Sequence, residues 1–79
     1  MITTEKKREH LSKHYGMASK TRYSVVDKEY TAWISYILAP GIPPQALYFR
    51  DERLSNVEEW LENQINILYE NFTRNGNTD

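Results

Sequence analysis

The sequence contains no cysteine, so neither a disulfide nor a thiolate metal ligand can stabilise this chain of 79 residues. It has two histidines, too few to complete a structural zinc site without cysteine. No apolar run approaches the roughly 20 residues that span a bilayer, and no apolar signal core follows the charged start of the chain. We therefore expect a soluble, cytoplasmic protein with no membrane partner, stabilised by apolar packing.

Glycine is also scarce, and none of the three glycines lies in a pattern that cradles phosphate. No nucleophile-elbow sequence is present, and the neighbouring carboxylates Glu58 and Glu59 fall on a predicted helix surface, not in a cleft. His10 and His14 have the spacing of zinc ligands on a helix, but the sequence has no third histidine or cysteine. We predict no catalytic residue, no metal site and no cofactor, and hence no enzyme.

The net charge of −1 conceals an uneven distribution along the chain. Residues 1–28 contain seven basic and three acidic residues, whereas residues 29–79 contain three basic and eight acidic ones. A basic first part and an acidic second part are either two surfaces that attract each other or two separate binding poles.

The first predicted element is a short helix over residues 4–15. Thr3 or Thr4 can cap its start, and Gly16 can end it in a left-handed conformation. Its apolar stripe is thin, and a helix with so little to bury is marginal alone. It either docks lightly on the body or stays mobile until a partner binds.

Residues 21–26 and 30–38 are rich in β-branched and aromatic types, which favours two strands joined by a turn at 27–29. The spacing of the apolar residues in 30–38 would also suit a helix, but their composition and the preceding turn favour a strand. The three prolines that follow exclude regular structure from the next connection, and residues 45–49 are the third predicted strand.

Residues 56–72 give the clearest pattern, a helix with Ser55 as its cap and Glu58 completing a capping box. Apolar residues recur every three or four positions along one side. They are Val57, Trp60, Leu61, Ile65, Leu68 and Phe72. Ile67 lies beside Trp60 and widens this apolar arc beyond what one sheet face needs.

Together these elements predict an α+β domain: a short N-terminal helix, a three-stranded antiparallel meander and a C-terminal amphipathic helix packed on one sheet face. The first helix would lie at an edge or on the second face. In terms of domains, we expect a basic helix at 1–18, a core domain at 19–74 and a disordered tail at 75–79.

Aromatic residues make up 13% of the chain, and one helix can cover only one sheet face well. Alternation along the second strand places Trp33 and Ile37 opposite Ile34 and Leu38. Exposed apolar surface on a small protein usually marks an interface. We therefore predict a small non-enzymatic protein-binding module, such as an adaptor, regulator or inhibitor of a larger protein.

Two surfaces are candidates for this contact: the face of Trp33, or the wide flank of the last helix at Trp60. An acidic stripe on that helix would set orientation and association rate. The predicted partner-binding residues are Tyr23, Trp33, Ile37, Tyr48, Trp60, Ile67, Glu59 and Glu62. A homodimer through the same apolar surface or a free strand edge is compatible with this prediction.

The basic start of the chain leaves a nucleic-acid-binding function open. The residues that would contact phosphate are Lys6, Lys7, Arg8, Lys13, Lys20 and Arg22. The slightly acidic composition argues against this alternative, because dedicated nucleic-acid-binding domains usually have a strong basic excess. A structural subunit of a larger assembly is the third alternative.

Overall fold

A computed structural model describes residues 2–76 of the chain. The elements follow in the order α1 (Thr4–Tyr15), β1 (Ala18–Ser24), β2 (Glu29–Tyr36), β3 (Gln45–Asp51) and α2 (Leu54–Gly76). The strands form an antiparallel sheet in the order β1-β2-β3, and α2 packs against β2 and β3. The predicted α+β meander is confirmed. Of the predicted tail, residues 77–79 lie outside the described residues.

Helix α1 begins and ends at the predicted residues because its signals are local. The Thr3 hydroxyl accepts a hydrogen bond from the Lys6 backbone N–H at 3.2 Å. Gly16 has a left-handed backbone with φ of 58°, and the following Met17 N–H donates to the Leu11 carbonyl at 3.3 Å. Met17 and Leu11 are both buried, so this turn anchors the end of α1 in the core.

The hairpin between β1 and β2 turns earlier than the sequence predicts. β1 ends at Ser24, whose hydroxyl accepts from the Asp27 N–H at 3.1 Å and whose carbonyl accepts from the Lys28 N–H at 2.7 Å. Residues 25–28 form the turn, which leaves Val25 and Val26 exposed at its tip. The strand predicted through these valines is wrong there, because the local hydrogen bonds of Ser24 outweigh β-propensity.

Helix α2 begins at Leu54, before the predicted cap at Ser55. The acceptor at this end is Asp51, the last residue of β3. Its Oδ1 accepts from the Arg53 backbone N–H at 2.8 Å and from Asn56 Nδ2 at 3.0 Å. These hydrogen bonds hold the pKa of Asp51 below its usual value, and the one from the Arg53 backbone N–H has the larger effect.

One hydrophobic core lies between the helices and the sheet. It consists of Leu11, Met17, Ala32, Ile34, Val57, Leu61, Ile65 and Leu68. Both helices contribute to this core and contact each other, so α1 lies beside α2 on the same side of the sheet. The alternative placement of α1 on the second face is therefore wrong. Within residues 2–76, neither helix covers that second face.

Two candidate binding surfaces

The second face of the sheet, here called the outer face, points away from both helices. Paired residues in an antiparallel sheet point to the same side, so the register assigns its members from the three strands. Its larger side chains are Lys20 and Arg22 from β1, Glu29, Thr31 and Trp33 from β2, and Tyr48 and Arg50 from β3.

A cation and two aromatic rings form a row across the centre of the outer face. Lys20 pairs with Trp33, which in turn pairs with Tyr48. The Lys20 Nζ lies 5.9 Å from the centroid of the Trp33 ring, and the Trp33 and Tyr48 centroids are 6.5 Å apart. The Tyr48 side chain is 67% exposed and Trp33 is half-buried. The row offers stacking surface and positive charge together.

The next row of the outer face is Arg22, Thr31 and Arg50. The Arg50 Nε lies 3.2 Å from Glu29 Oε1, and its Nη2 lies 3.7 Å from Asp27 Oδ2. Arg22 is exposed, and neither it nor Lys20 forms an ion pair with another described residue. Two cations of the outer face are therefore available to a ligand, while the third is already neutralised by carboxylates.

The second surface, here called the β3 flank, consists of Leu47, Trp60 and Ile67. The Trp60 ring stacks on the Phe49 ring of β3, with centroids 5.4 Å apart and an interplanar angle of 13°. Ile67 lies about two helical turns further along the same side of α2. Leu47 shares the helix-facing side of β3 with Phe49, because side chains alternate along a strand.

The direction of α2 brings Ile67 and Leu47 to the same stretch of the sheet. Near the start of α2, Trp60 contacts Phe49 near the end of β3. Farther along the helix, the Phe72 ring contacts Tyr36, which pairs with Gln45 at the start of β3. The helix therefore runs antiparallel to β3, and Ile67 reaches the level of Leu47. The Ile67 side chain is 49% exposed and that of Leu47 is 36% exposed. The flank is an apolar surface beside the strand edge.

The two edge strands differ in charge. β1 has Lys20 and Arg22 along its length, and α1 reaches it through a hydrogen bond of 2.7 Å from Arg8 Nη1 to Ser19 Oγ. β3 is uncharged from Gln45 to Phe49, and within the described residues it pairs with β2 alone. Charges discourage the addition of a further strand, whereas an uncharged edge favours it.

The predicted partner-binding residues fall on more than one surface. Trp33 and Tyr48 lie on the outer face, and Trp60 and Ile67 on the β3 flank. Tyr23 lies instead on the helix-facing side of the sheet, paired with Tyr30 at a centroid distance of 4.8 Å. It therefore lies on the opposite face of the sheet from Trp33.

Ile37 also lies apart from Trp33, because β2 ends at Tyr36. The Ile37 N–H donates to the Tyr15 carbonyl at 2.8 Å, which ties the end of α1 to the chain after β2. On α2, Glu59 is exposed, whereas Glu62 accepts a hydrogen bond from Thr4 Oγ1 at 3.0 Å. Glu62 therefore faces α1, away from the β3 flank.

The predicted basic segment does not form a single surface either. Lys7 Nζ donates to Asn66 Oδ1 at 3.2 Å and lies 5.6 Å from the centroid of the Tyr69 ring. Arg8 is bound to Ser19, while Lys6 and Lys13 are exposed on α1. Lys20 and Arg22 stand apart from these residues, on the outer face.

The two histidines contact each other on α1, with ring centroids 4.5 Å apart. His10 also meets the Tyr69 ring edge-on at 5.3 Å. Burial lowers the pKa of His10, and the nearby His14 lowers it further.

No group of three or more metal-binding side chains of the types His, Cys, Asp and Glu occurs among residues 2–76. Among the same residues, no helix is long and apolar enough to cross a membrane.

Leu47 and Arg50 were not singled out from the sequence. The predicted third strand ended at Phe49, which placed Arg50 in a turn, whereas β3 extends to Asp51. The alternation of Leu47 and Phe49 with Tyr48 and Arg50 is the signal that could have found both.

No family model matches the chain, and no curated protein or solved structure matches it either.

Proposed function

We propose that the protein is a protein-binding module whose contact surface is the β3 flank. An extended apolar segment of a larger protein adds to β3 as a further strand and places its side chains against Leu47, Trp60 and Ile67. The observation that supports this proposal is the uncharged free edge of β3 beside two exposed aliphatic side chains.

Strand addition suits this surface because it uses two kinds of interaction. Main-chain hydrogen bonds to an unpaired edge supply affinity, and alternate side chains of the added strand supply specificity. Full burial of an isoleucine side chain contributes about 1.5–3 kcal/mol, so covering the exposed half of Ile67 contributes about 1 kcal/mol. Glu59, exposed on α2, favours a partner with basic residues near its apolar segment, and such charges act mainly on the association rate.

Affinity capture from the source cells tests the proposal when it is combined with hydrogen exchange on the captured complex. The wild-type protein is compared with Leu47→Lys and Ile67→Lys, which place a charge on the flank. We expect both variants to lose the partner that the wild type captures. In the wild-type complex, we expect backbone amides of β3 to exchange more slowly than in the free protein.

Thr21→Lys is the matched control, because it places the same charge on an exposed position of the opposite edge strand. It should capture the partner as the wild type does, and circular dichroism should show that all variants are folded. Equal capture by every variant, or unchanged exchange of the β3 amides, contradicts the proposal. A homodimer that Leu47→Lys dissociates would assign the edge to a second copy and also contradict it.

A structural subunit of a larger assembly stays an alternative prediction, since assembly through the same edge would give the same loss in Leu47→Lys. The size of the captured complex separates the protein-binding module from the assembly subunit, because an assembly subunit is recovered with many copies of itself or of fixed neighbours. The absence of enzymatic activity and the cytoplasmic location also stay predictions.

A further inference from the structure

We propose that the outer face binds single-stranded nucleic acid, at a site separate from the β3 flank. Bases stack on Trp33 and Tyr48, and Lys20 and Arg22 contact phosphates. The inference goes beyond the proposed function and rests on the rings and cations that one uncovered sheet face brings together.

The two rings provide the stacking platform. Trp33 and Tyr48 are neighbours on adjacent strands, with centroids 6.5 Å apart, and Tyr48 is mostly exposed. Stacking on aromatic side chains is tolerant of sequence, because every base presents a π-face. The Lys20 ammonium lies over the Trp33 ring in the free protein. A base that stacks on Trp33 displaces it, and the flexible lysine stem lets it reach a neighbouring phosphate.

The distribution of charge explains how an acidic chain can present such a site. Most carboxylates lie on the two helices, on the opposite side of the sheet from the outer face. They are Glu5, Glu9, Glu58, Glu59, Glu62 and Glu70. The outer face has three cations and one carboxylate of its own, Glu29, and the turn residue Asp27 also reaches it; both carboxylates pair with Arg50. Its local charge is therefore positive although the net charge of the chain is −1.

The rings favour a single strand over the other anionic partners. A duplex hides the faces of its bases, so it could use Lys20 and Arg22 but not the stacking surface. An acidic peptide could pair with the same cations, but it lacks the flat aromatic groups that match two neighbouring rings. An unpaired strand of DNA or RNA satisfies both features at once.

Fluorescence anisotropy with labelled oligothymidylate and oligouridylate of about ten nucleotides tests the inference. We expect binding that weakens with salt, with a slope of log K against log salt near −1.4 for two phosphate contacts at about 0.7 each. Trp33→Ala and Tyr48→Ala should each weaken binding about tenfold, and Trp33→Phe by less because it keeps a ring. Lys20→Ala with Arg22→Ala should weaken binding and flatten the salt slope.

Lys6→Ala with Lys13→Ala is the matched control, since it removes two exposed cations from α1 and leaves the outer face intact. This variant and Leu47→Lys should bind the oligonucleotides as the wild type does, which separates this site from the β3 flank. Tyr48→Ala removes a mostly exposed ring, so it tests stacking even if Trp33→Ala does not fold. No binding at low salt overturns the inference. Equal loss in the α1 control, or equal competition by duplex DNA or polyglutamate, overturns it as well.

Discussion

The two helices lie on the same side of the sheet but are attached to it by different means. α2 contributes four side chains to the core, namely Val57, Leu61, Ile65 and Leu68. α1 contributes one buried side chain, Leu11, and the partly buried Tyr15, whose ring centroid lies 4.3 Å from that of Phe72. Met17 follows just after the end of α1. Burial of apolar surface is the main source of stability, so α2 holds the domain together while α1 depends on fewer contacts.

Polar contacts supply much of the remaining attachment of α1. Thr4 bonds to Glu62 and Lys7 to Asn66 on α2, while Arg8 bonds to Ser19 on β1. Hydrogen bonds of this kind contribute about 1 kcal/mol or less each when water can replace them. We therefore expect α1 to open before the rest of the domain. Because the β3 flank is built on α2, it should keep its shape when α1 opens.

Ile65→Ala should have the largest effect on the free energy of unfolding. Ile65 is fully buried in the core, and removing its side chain should cost about 3–5 kcal/mol, enough to unfold much of a domain this small. Urea denaturation followed by circular dichroism measures the loss. Ile67→Ala is the control, because it changes the same residue type on the same helix at a half-exposed position. A loss of similar size in Ile67→Ala would contradict the assignment of the core.

Leu11→Ala should destabilise the domain less, by about 2–3 kcal/mol, although Leu11 is also fully buried. The reason is that Leu11 is the one fully buried side chain of α1, so its loss can be confined to a local opening of this helix. Native-state hydrogen exchange should show faster exchange in α1 than in α2. If the amides of both helices accelerate equally, the two helices form one cooperative unit, and α1 does not open separately.

Gly16→Ala should cost about 1–2 kcal/mol through backbone strain. Gly16 has φ of 58°, which an L side chain adopts only with strain. An added Cβ would lie 3.7 Å from Ile37 Cδ1, which is ordinary contact, so no clash adds to this cost. Gly41→Ala is a matched control, since Gly41 also has a positive φ, of 88°, but lies outside the helices. Both variants should lose stability in urea, but only Gly16→Ala should accelerate exchange at the end of α1.

The sequence predicts α1 well because both of its ends depend on neighbouring residues. Thr3 bonds to an amide three residues away, and Gly16 needs only its own backbone conformation. The start of α2 was less predictable. Ser55 has the right type for a cap, but α2 already begins at Leu54, and Asp51 at the end of β3 accepts from the Arg53 backbone N–H and the Asn56 side chain instead.

The outer face was harder to predict because the residues that β1 contributes to it depend on strand register. A turn at 27–29 would pair Val26 with Tyr30 and, by the same offset, Tyr23 with Trp33. The observed turn at 25–28 pairs Tyr23 with Tyr30 and Lys20 with Trp33. The pairing is shifted by three residues, and a shift by an odd number of residues moves every side chain of the strand to the other face. Lys20 and Arg22 consequently lie on the outer face, and Tyr23 does not.

The smallest effect we expect is a dependence of α1 on pH. Burial and then the charge of His14 lower the pKa of His10 in the folded protein below its ordinary value of 6.5. The unfolded chain therefore binds the proton more readily than the folded one. The free energy of unfolding should be constant above pH of about 6.5 and should fall as the pH drops below that value. Because His10 contacts Tyr69 of α2, the loss should weaken the attachment of α1.

Urea denaturation and hydrogen exchange at pH of about 7.5 and about 5.5 measure this dependence while most carboxylates stay ionised. His10→Gln should reduce the difference between the two pH values. His14→Gln should reduce it partly, because it removes the second cause of the lowered pKa and leaves burial in place. A domain that becomes more stable at the lower pH, or an unchanged difference in His10→Gln, would contradict the role of this histidine. In either case the weaker attachment of α1 would follow from its small share of the core and its exposed hydrogen bonds, and not from His10.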